Sequence, residues 1–241
     1  MSKEGLNPGL AFAPQITAND HPDLPADEIL HERILSEGIR LSKGKGEFLC
    51  RQGSPASDVY ALVGGTAGVT VRCDKADRHY LSFLVAPTLV IPATDANGDA
   101  LYSVECLTHA DLYTVSRRTM MRLMDGRSVR TAIELNLGKT LCRTNDQLSN
   151  LLCRHGAARV AYLLTALTSE PAEPCAGSTD SGTKRNAIEL TQVEIASALG
   201  MSSVYLNQIL KKFKDSGLIC IESGAIKVKD KKSLRMRFMT V

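Results

Sequence analysis

Residues 190–219 read LTQVEIASALGMSSVYLNQILKKFKDSGLI, and the fold turns on them. Thr191 is a good N-cap, and Glu194 stands three residues on, the spacing of a capping box. Ile195 and Leu199 then share one helix face, while Ala196 and Ala198 keep that helix thin enough to pack closely. Gly200 supplies the backbone for a turn. Ser202 caps a second helix, in which Leu206, Ile209, Leu210 and Phe213 form an i, i+3, i+4, i+7 stripe. With that stripe turned inward, Ser203, Val204, Asn207, Gln208 and Lys211 point outward. A helix-turn-helix needs such a pair to lay its second helix in a major groove. Asn and Gln match adenine edges, and Val204 matches a thymine methyl. The candidate DNA-contacting residues are therefore Thr191, Gln192, Ser202, Ser203, Val204, Asn207, Gln208 and Lys211. An ordinary αα-hairpin with a solvated outer face is the alternative.

Composition narrows the rest. A chain of 241 residues has room for two ordinary domains. Its 44% hydrophobic and 23% charged residues are those of a soluble globular protein. No apolar run approaches the roughly 18 residues that span a bilayer. The opening MSKEGLNPGLAFAPQ lacks the apolar core of a signal peptide, so a cytoplasmic protein without a membrane partner is expected. From residue 184 onward there are 11 Lys+Arg against 5 Asp+Glu, a net of +6. The remaining 18 against 21 leave residues 1–183 at −3. Positive charge gathered at the end that carries the helix pair suits a phosphate backbone, although a solvated basic tail gives the same count. The seven cysteines (50, 73, 106, 142, 153, 175 and 220) include no CxxC pair, so neither a zinc site nor an iron–sulfur motif has its spacing. They read as reduced thiols, mostly small core residues.

Residues 1–27 carry Pro8, Pro14, Pro22 and Pro25 and read as an extended arm. A short helix is expected over 29–39 (ILHERILSEGI), stopped near Gly38. From 41 to 115 short strands follow one another between Gly, Pro and Asp, the pattern of an antiparallel sandwich or barrel. After a helix at 116–124, a long helix is expected over 128–153. Leu137, Leu141, Thr144, Leu148 and Leu151 recur on it at intervals of 4, 3, 4 and 3. That is a heptad seam, which needs a partner and gives the candidate dimer interface. Packing against its own β-domain, through Ile133, Leu135 and Leu152, is the alternative. The next helix, AARVAYLLTALTSE, is followed by PAEPCAGSTDSGTKRNA, a flexible connector. Beyond the helix pair, LICIESGAIKV turns at Ser223-Gly224 as a wing hairpin, and KDKKSLRMRFMTV adds a basic strip.

A β-rich domain, a long seam-bearing helix and a winged helix-turn-helix, in that order, resemble the Crp/Fnr family of bacterial transcription regulators. The resemblance spans roughly 28–230. Its most specific parts are the helix pair quoted first and KGKGEFLCRQGSPASDVYALVGGTAGVTV, in which Gly46-Glu47 start a strand and Gly64-Gly65 close a hairpin. It implies an α+β chain with an N-terminal arm (1–27) and an antiparallel β-roll or jelly-roll sensor domain, like a cyclic-nucleotide-binding domain (28–126). A dimerisation helix (127–153) and a winged helix-turn-helix domain (154–241) complete it. The family implies a homodimer on a near-palindromic operator of double-stranded DNA, working with RNA polymerase.

The departures from the family are as informative. Members that bind cyclic nucleotides hold phosphate and ribose with a Gly-Glu pair and an Arg-Ser/Thr-Ala segment. Here the matching stretch is LVIPATDANGDALYSVECL, with Asp95, Asp99 and Glu105 and no arginine between Arg78 and Arg117. Neither cyclic AMP nor cyclic GMP is expected to bind there in the ordinary way. Residues 1–49 hold no cysteine, so the family's iron–sulfur branch is not expected either. Cys73 and His79 flank CDKADRH and are both possible haem ligands, but read more simply as loop residues, so no cofactor is expected. Many relatives place arginines early in the recognition helix and one turn on, where this chain has Ser203 and Gln208. A different operator, with more of the affinity carried by Lys211, Lys212 and Lys214, is therefore expected.

Three functional readings stay open: a regulator sensing another small molecule through a hinge at Arg154-His155-Gly156, a thiol switch at Cys142 and Cys153, and a constitutive DNA binder. No nucleophile elbow, HExxH or phosphate loop suggests an enzyme, and His109 and His155 read as surface or hinge residues.

Overall fold

The computed structural model describes residues 25–73, 78–168 and 187–239. Most of the N-terminal arm, the tip of CDKADRH and the connector up to residue 186, with Cys175, lie outside the described residues. In chain order the elements are α1 (Pro25–Glu37), β1 (Ile39–Lys43), β2 (Phe48–Cys50), β3 (Asp58–Gly64), β4 (Thr66–Arg72), β5 (Arg78–Val85), β6 (Thr88–Val90), β7 (Ser103–Cys106) and β8 (Ala110–Ser116). Then come α2 (Arg117–Leu123), α3 (Arg127–Cys153), α4 (Gly156–Leu167), β9 (Ala187–Ile188), α5 (Gln192–Ala198), α6 (Ser203–Asp215), β10 (Ile219–Glu222), β11 (Ala225–Val228) and α7 (Lys231–Met239).

Two antiparallel four-stranded sheets, β1-β8-β3-β6 and β2-β7-β4-β5, enclose one core. The two-residue period of a strand sends alternate side chains to opposite faces. On β3, Tyr60 and Leu62 turn inward to join Leu49, Val104, Cys106 and Leu112. Val59 and Ala61 turn outward to meet Leu30 and Ile34 of α1, Met120 of α2, and Val129, Ala132 and Ile133 of α3. The first sheet is thus backed by helices.

The second sheet is backed by the helix-turn-helix unit. Val104 and Cys106 of β7 point inward, whereas Tyr80 of β5 and Leu107 just beyond β7 join the core of α4, α5 and α6. Gly68 of β4 makes room for them, because a Cβ there would lie 2.7 Å from the Tyr80 ring and 3.0 Å from Leu107. The wing is a three-stranded sheet in the order β10-β11-β9.

Three expectations change. The first helix starts earlier and ends at Glu37, and Ile39 instead opens β1 opposite Thr114. Ala187, the last residue of the expected flexible connector, pairs with Lys227 as part of the third wing strand. The basic strip folds into α7, where the Asp230 carboxylate accepts from the Ser233 N–H at 2.8 Å. Leu234 is fully buried, and Phe238 packs on Phe213 with ring centroids 4.7 Å apart.

Candidate nucleic-acid interface

Local chemistry fixes where α5 begins. The Glu194 N–H donates to Thr191 Oγ1 at 3.2 Å, and the Thr191 N–H donates to Glu194 Oε2 at 2.7 Å. Both halves of the capping box are present, so two amides that a helix start leaves unpaired are satisfied. Replacing Thr191 with alanine is expected to lower stability by about 1 kcal/mol, read as a shift of the denaturant midpoint.

Ser202 starts α6 in the same manner, its Oγ accepting from the Tyr205 N–H at 3.2 Å. Leu206, Ile209, Leu210 and Phe213 are all buried, so the expected stripe is the inner face. Around the other side Val204 is 70% exposed, Asn207, Gln208 and Lys211 are exposed, and Ser203 is half-buried. Thr191 and Ser202 are exposed and Gln192 half-buried at the starts of the two helices. Their capping hydroxyls accept from amides yet keep a hydrogen to donate, as a phosphate oxygen requires. The eight candidate residues therefore sit on the outer side and helix starts of one helix pair, together with exposed Lys212 and Lys214.

The wing turns through Ser223 (φ 49°) and Gly224 (φ 82°), the positive pair that a two-residue hairpin loop demands. On it Lys227 bonds Glu222 at 2.6 Å, and this hydrogen bond is the main reason the Glu222 carboxyl sits below its ordinary range. Between α3 and α4, Nδ1 of His155 accepts from the Ala158 N–H at 3.4 Å, which caps α4. The ring of Tyr205 rests on Gly156, where a Cβ would come within 2.5 Å of it. The recognition helix thus touches the residue at which α4 begins. No local pattern in the sequence points to this contact.

On α3 the early residues Val129, Ala132 and Ile133 are buried, while Leu137 (53% exposed), Leu141 (62%) and Leu148 (53%) are not. Thr144 lies exposed between them and donates its hydroxyl to the Thr140 carbonyl at 3.0 Å. Leu151 is half-buried, and Leu152, 73% exposed, takes the last place on the stripe. Cys142 is exposed but follows Leu141, so it stands about 100° round the helix from it. Cys153 is exposed at the end of α3.

Asp95 accepts from the N–H groups of Asn97 (2.8 Å) and Asp99 (3.0 Å), and these bonds, led by Asp99, hold its carboxyl below the usual range. Glu105 faces the outside of the roll, not its core, and pairs with Arg78. Arg117 reaches back from α2 to the Pro92 carbonyl (3.0 Å) and Thr94 hydroxyl (3.4 Å). The two arginines that bracket the stretch in sequence thus both meet it in space. Beside Arg117 a cavity of about 130 Å³ is lined by Val59, Ile91, Met120, Met121, Met124 and Ile133. That is well short of the roughly 300 Å³ at which pockets begin to hold ordinary ligands. Cys73 and His79 are both exposed on β4–β5, and among the described residues no three His, Cys, Asp or Glu side chains cluster as a metal site would need. No described helix is long and apolar enough to cross a membrane.

Comparison with known proteins bears on this arrangement. Residues 158–237 match the model of the Crp-like helix-turn-helix domain. The chain is 23% identical over 195 residues, 80% of its length and 85% of the relative's, to a CRP-like cAMP-activated global transcriptional regulator of Mycobacterium tuberculosis. Its fold is similar to that of FixK2 from Bradyrhizobium japonicum (TM-score 0.68, 15% identity, 85% of this chain and 98% of that one). The same holds for the c-di-GMP responsive global regulator CLP of Xanthomonas campestris (TM-score 0.63, 20% identity, 84% and 99%). The chain thus carries a Crp-like helix-turn-helix domain behind a two-sheet roll and a long leucine-striped helix, and over most of its length it is similar in fold to regulators of the Crp/Fnr type.

Proposed function

We propose that this chain is a homodimeric, sequence-specific DNA-binding regulator whose α6 enters the major groove of each half of a near-palindromic operator. Crp-family regulators bind DNA and act as dimers. The observation that carries the reading here is the two-sided α6, with its apolar stripe fully buried and Val204, Asn207, Gln208 and Lys211 open to solvent. The exposed leucines of α3 supply the two-fold contact, which spaces two reading heads for successive major-groove faces. Asn207 and Gln208 favour adenine, and the three lysines of α6 take phosphates.

The effector we assign to the roll is not a cyclic nucleotide. The M. tuberculosis relative is described as cAMP-activated, but this chain's matching stretch folds Asp95 onto its own amides and ties Arg117 to Pro92 and Thr94. The interior between the sheets is filled by Tyr60, Leu62, Val104 and Leu112. RNA polymerase is the partner that the family role implies.

Selection of bound duplexes from a random-sequence pool tests the reading. Selected sites are expected to be near-palindromic. Gln208→Ala is expected to weaken the selected site by about 10-fold or more and to relax one base position in each half. Lys211→Ala should weaken all sequences alike and reduce the salt slope by about 1. Retention of no duplex at any salt, with or without added cell metabolites, refutes the proposal.

A further inference from the structure

The outer face of the second sheet is built to hold α5. Ser197 Oγ lies between two backbone groups of β5, accepting from the Tyr80 N–H at 3.3 Å and donating to the Arg78 carbonyl at 3.4 Å. The Tyr80 ring is buried within the core of the reading head and stacks on Phe83 with centroids 5.6 Å apart. Arg78 pairs with Glu105, itself only 8% exposed, and its guanidinium lies 5.3 Å from the centre of the Tyr80 ring. One residue beyond Ser197, the Ala198 carbonyl accepts from Gln147 Nε2 of α3 at 3.3 Å. That carbonyl belongs to the last turn of α5, where a helix cannot pair its own acceptors. The C-terminal end of α5 is therefore gripped by the roll and by α3 together. The outward residues of α6 are left uncovered.

We infer that Ser197, Tyr80, Arg78 and Gln147 are positioning residues, a latch that fixes the bearing of the reading head so that two heads can engage two half-sites at once. The inference rests on the DNA-reading role proposed above. A loose head must be ordered when the operator binds, and its affinity falls by the fraction of time it spends misaligned. A single half-site needs no fixed bearing between heads. The latch therefore acts on two-site binding and leaves one-site binding alone.

The test compares full-length variants on two duplexes, the selected operator and the same operator with one half scrambled. Ser197→Ala combined with Gln147→Ala removes the tethers without touching the core or α6. It is expected to weaken operator binding by roughly 10-fold, while half-site affinity stays within about two-fold. An operator-to-half-site ratio unchanged in the double variant overturns the latch, as does a rise in that ratio. Wild-type protein that binds neither duplex refutes the DNA-reading role itself, and the latch falls with it.

Discussion

Leu141→Asp with Leu148→Asp is expected to turn the protein into monomers at micromolar concentration and to lower affinity for a two-half-site operator by about 100-fold or more. Both leucines are more than half exposed on α3, as are Leu137 and Leu152, so one stripe of the helix offers four large apolar side chains to a partner. Burying a leucine contributes on the order of 1.5–3 kcal/mol, and two-fold symmetry counts each position twice. Aspartate forfeits that burial and sets like charges against each other across the axis. The substituted sites are solvent-exposed within the protomer, so its fold should hold. Sedimentation or light scattering gives the mass, and anisotropy on operator and half-site duplexes gives the affinities. A variant that stays dimeric would show that another surface makes the two-fold contact.

Phe213→Ala should destabilise the reading head by about 3–5 kcal/mol, the largest single-residue effect expected on stability. Phe213 is fully buried at the inner edge of α6 and packs at a tilt on Phe238 of α7. Truncation opens a cavity between two helices that cannot both move in to fill it, since Leu206 and Leu210 on α6 and Leu234 on α7 are already packed. The chain has no tryptophan, so circular dichroism is the probe to follow through a denaturant titration. Lys211→Ala, on the opposite face of the same helix, should leave the midpoint unchanged while weakening DNA binding. Equal stability losses from the two variants would contradict the assignment of inner and outer faces.

What could be read in advance was what repeats at short range. The capping box needs only Thr191 and Glu194, the α6 stripe only a period of 3.6, and the α3 seam only a period of 3.5. Each is complete within one element. The features that escaped depend on partners far along the chain. Leu234 and Phe238 make α7 a helix with a buried side only because Phe213 stands across from them, and in sequence they are two apolar residues in a basic run. The two residues of β9 are a strand only beside β11. Glu105 lies on the outside of the roll, where Arg78 meets it across the sheet, a pairing that no local pattern marks. The grip on α5 joins Ser197 to a strand 117 residues away, which no local pattern announces.

The hydroxyl of Thr144 bears on who can pair with whom. Because it donates to the Thr140 carbonyl, the one polar position in the leucine stripe has its hydrogen already bonded within its own helix. A two-fold contact made on this stripe would then lack a free side-chain donor demanding its own match, of the kind that dictates register and rejects strangers in other helix pairs. Leucines alone tell partners apart poorly. In a cell that makes several related regulators, mixed dimers with two different reading heads would be held off by little more than the shape of this stripe.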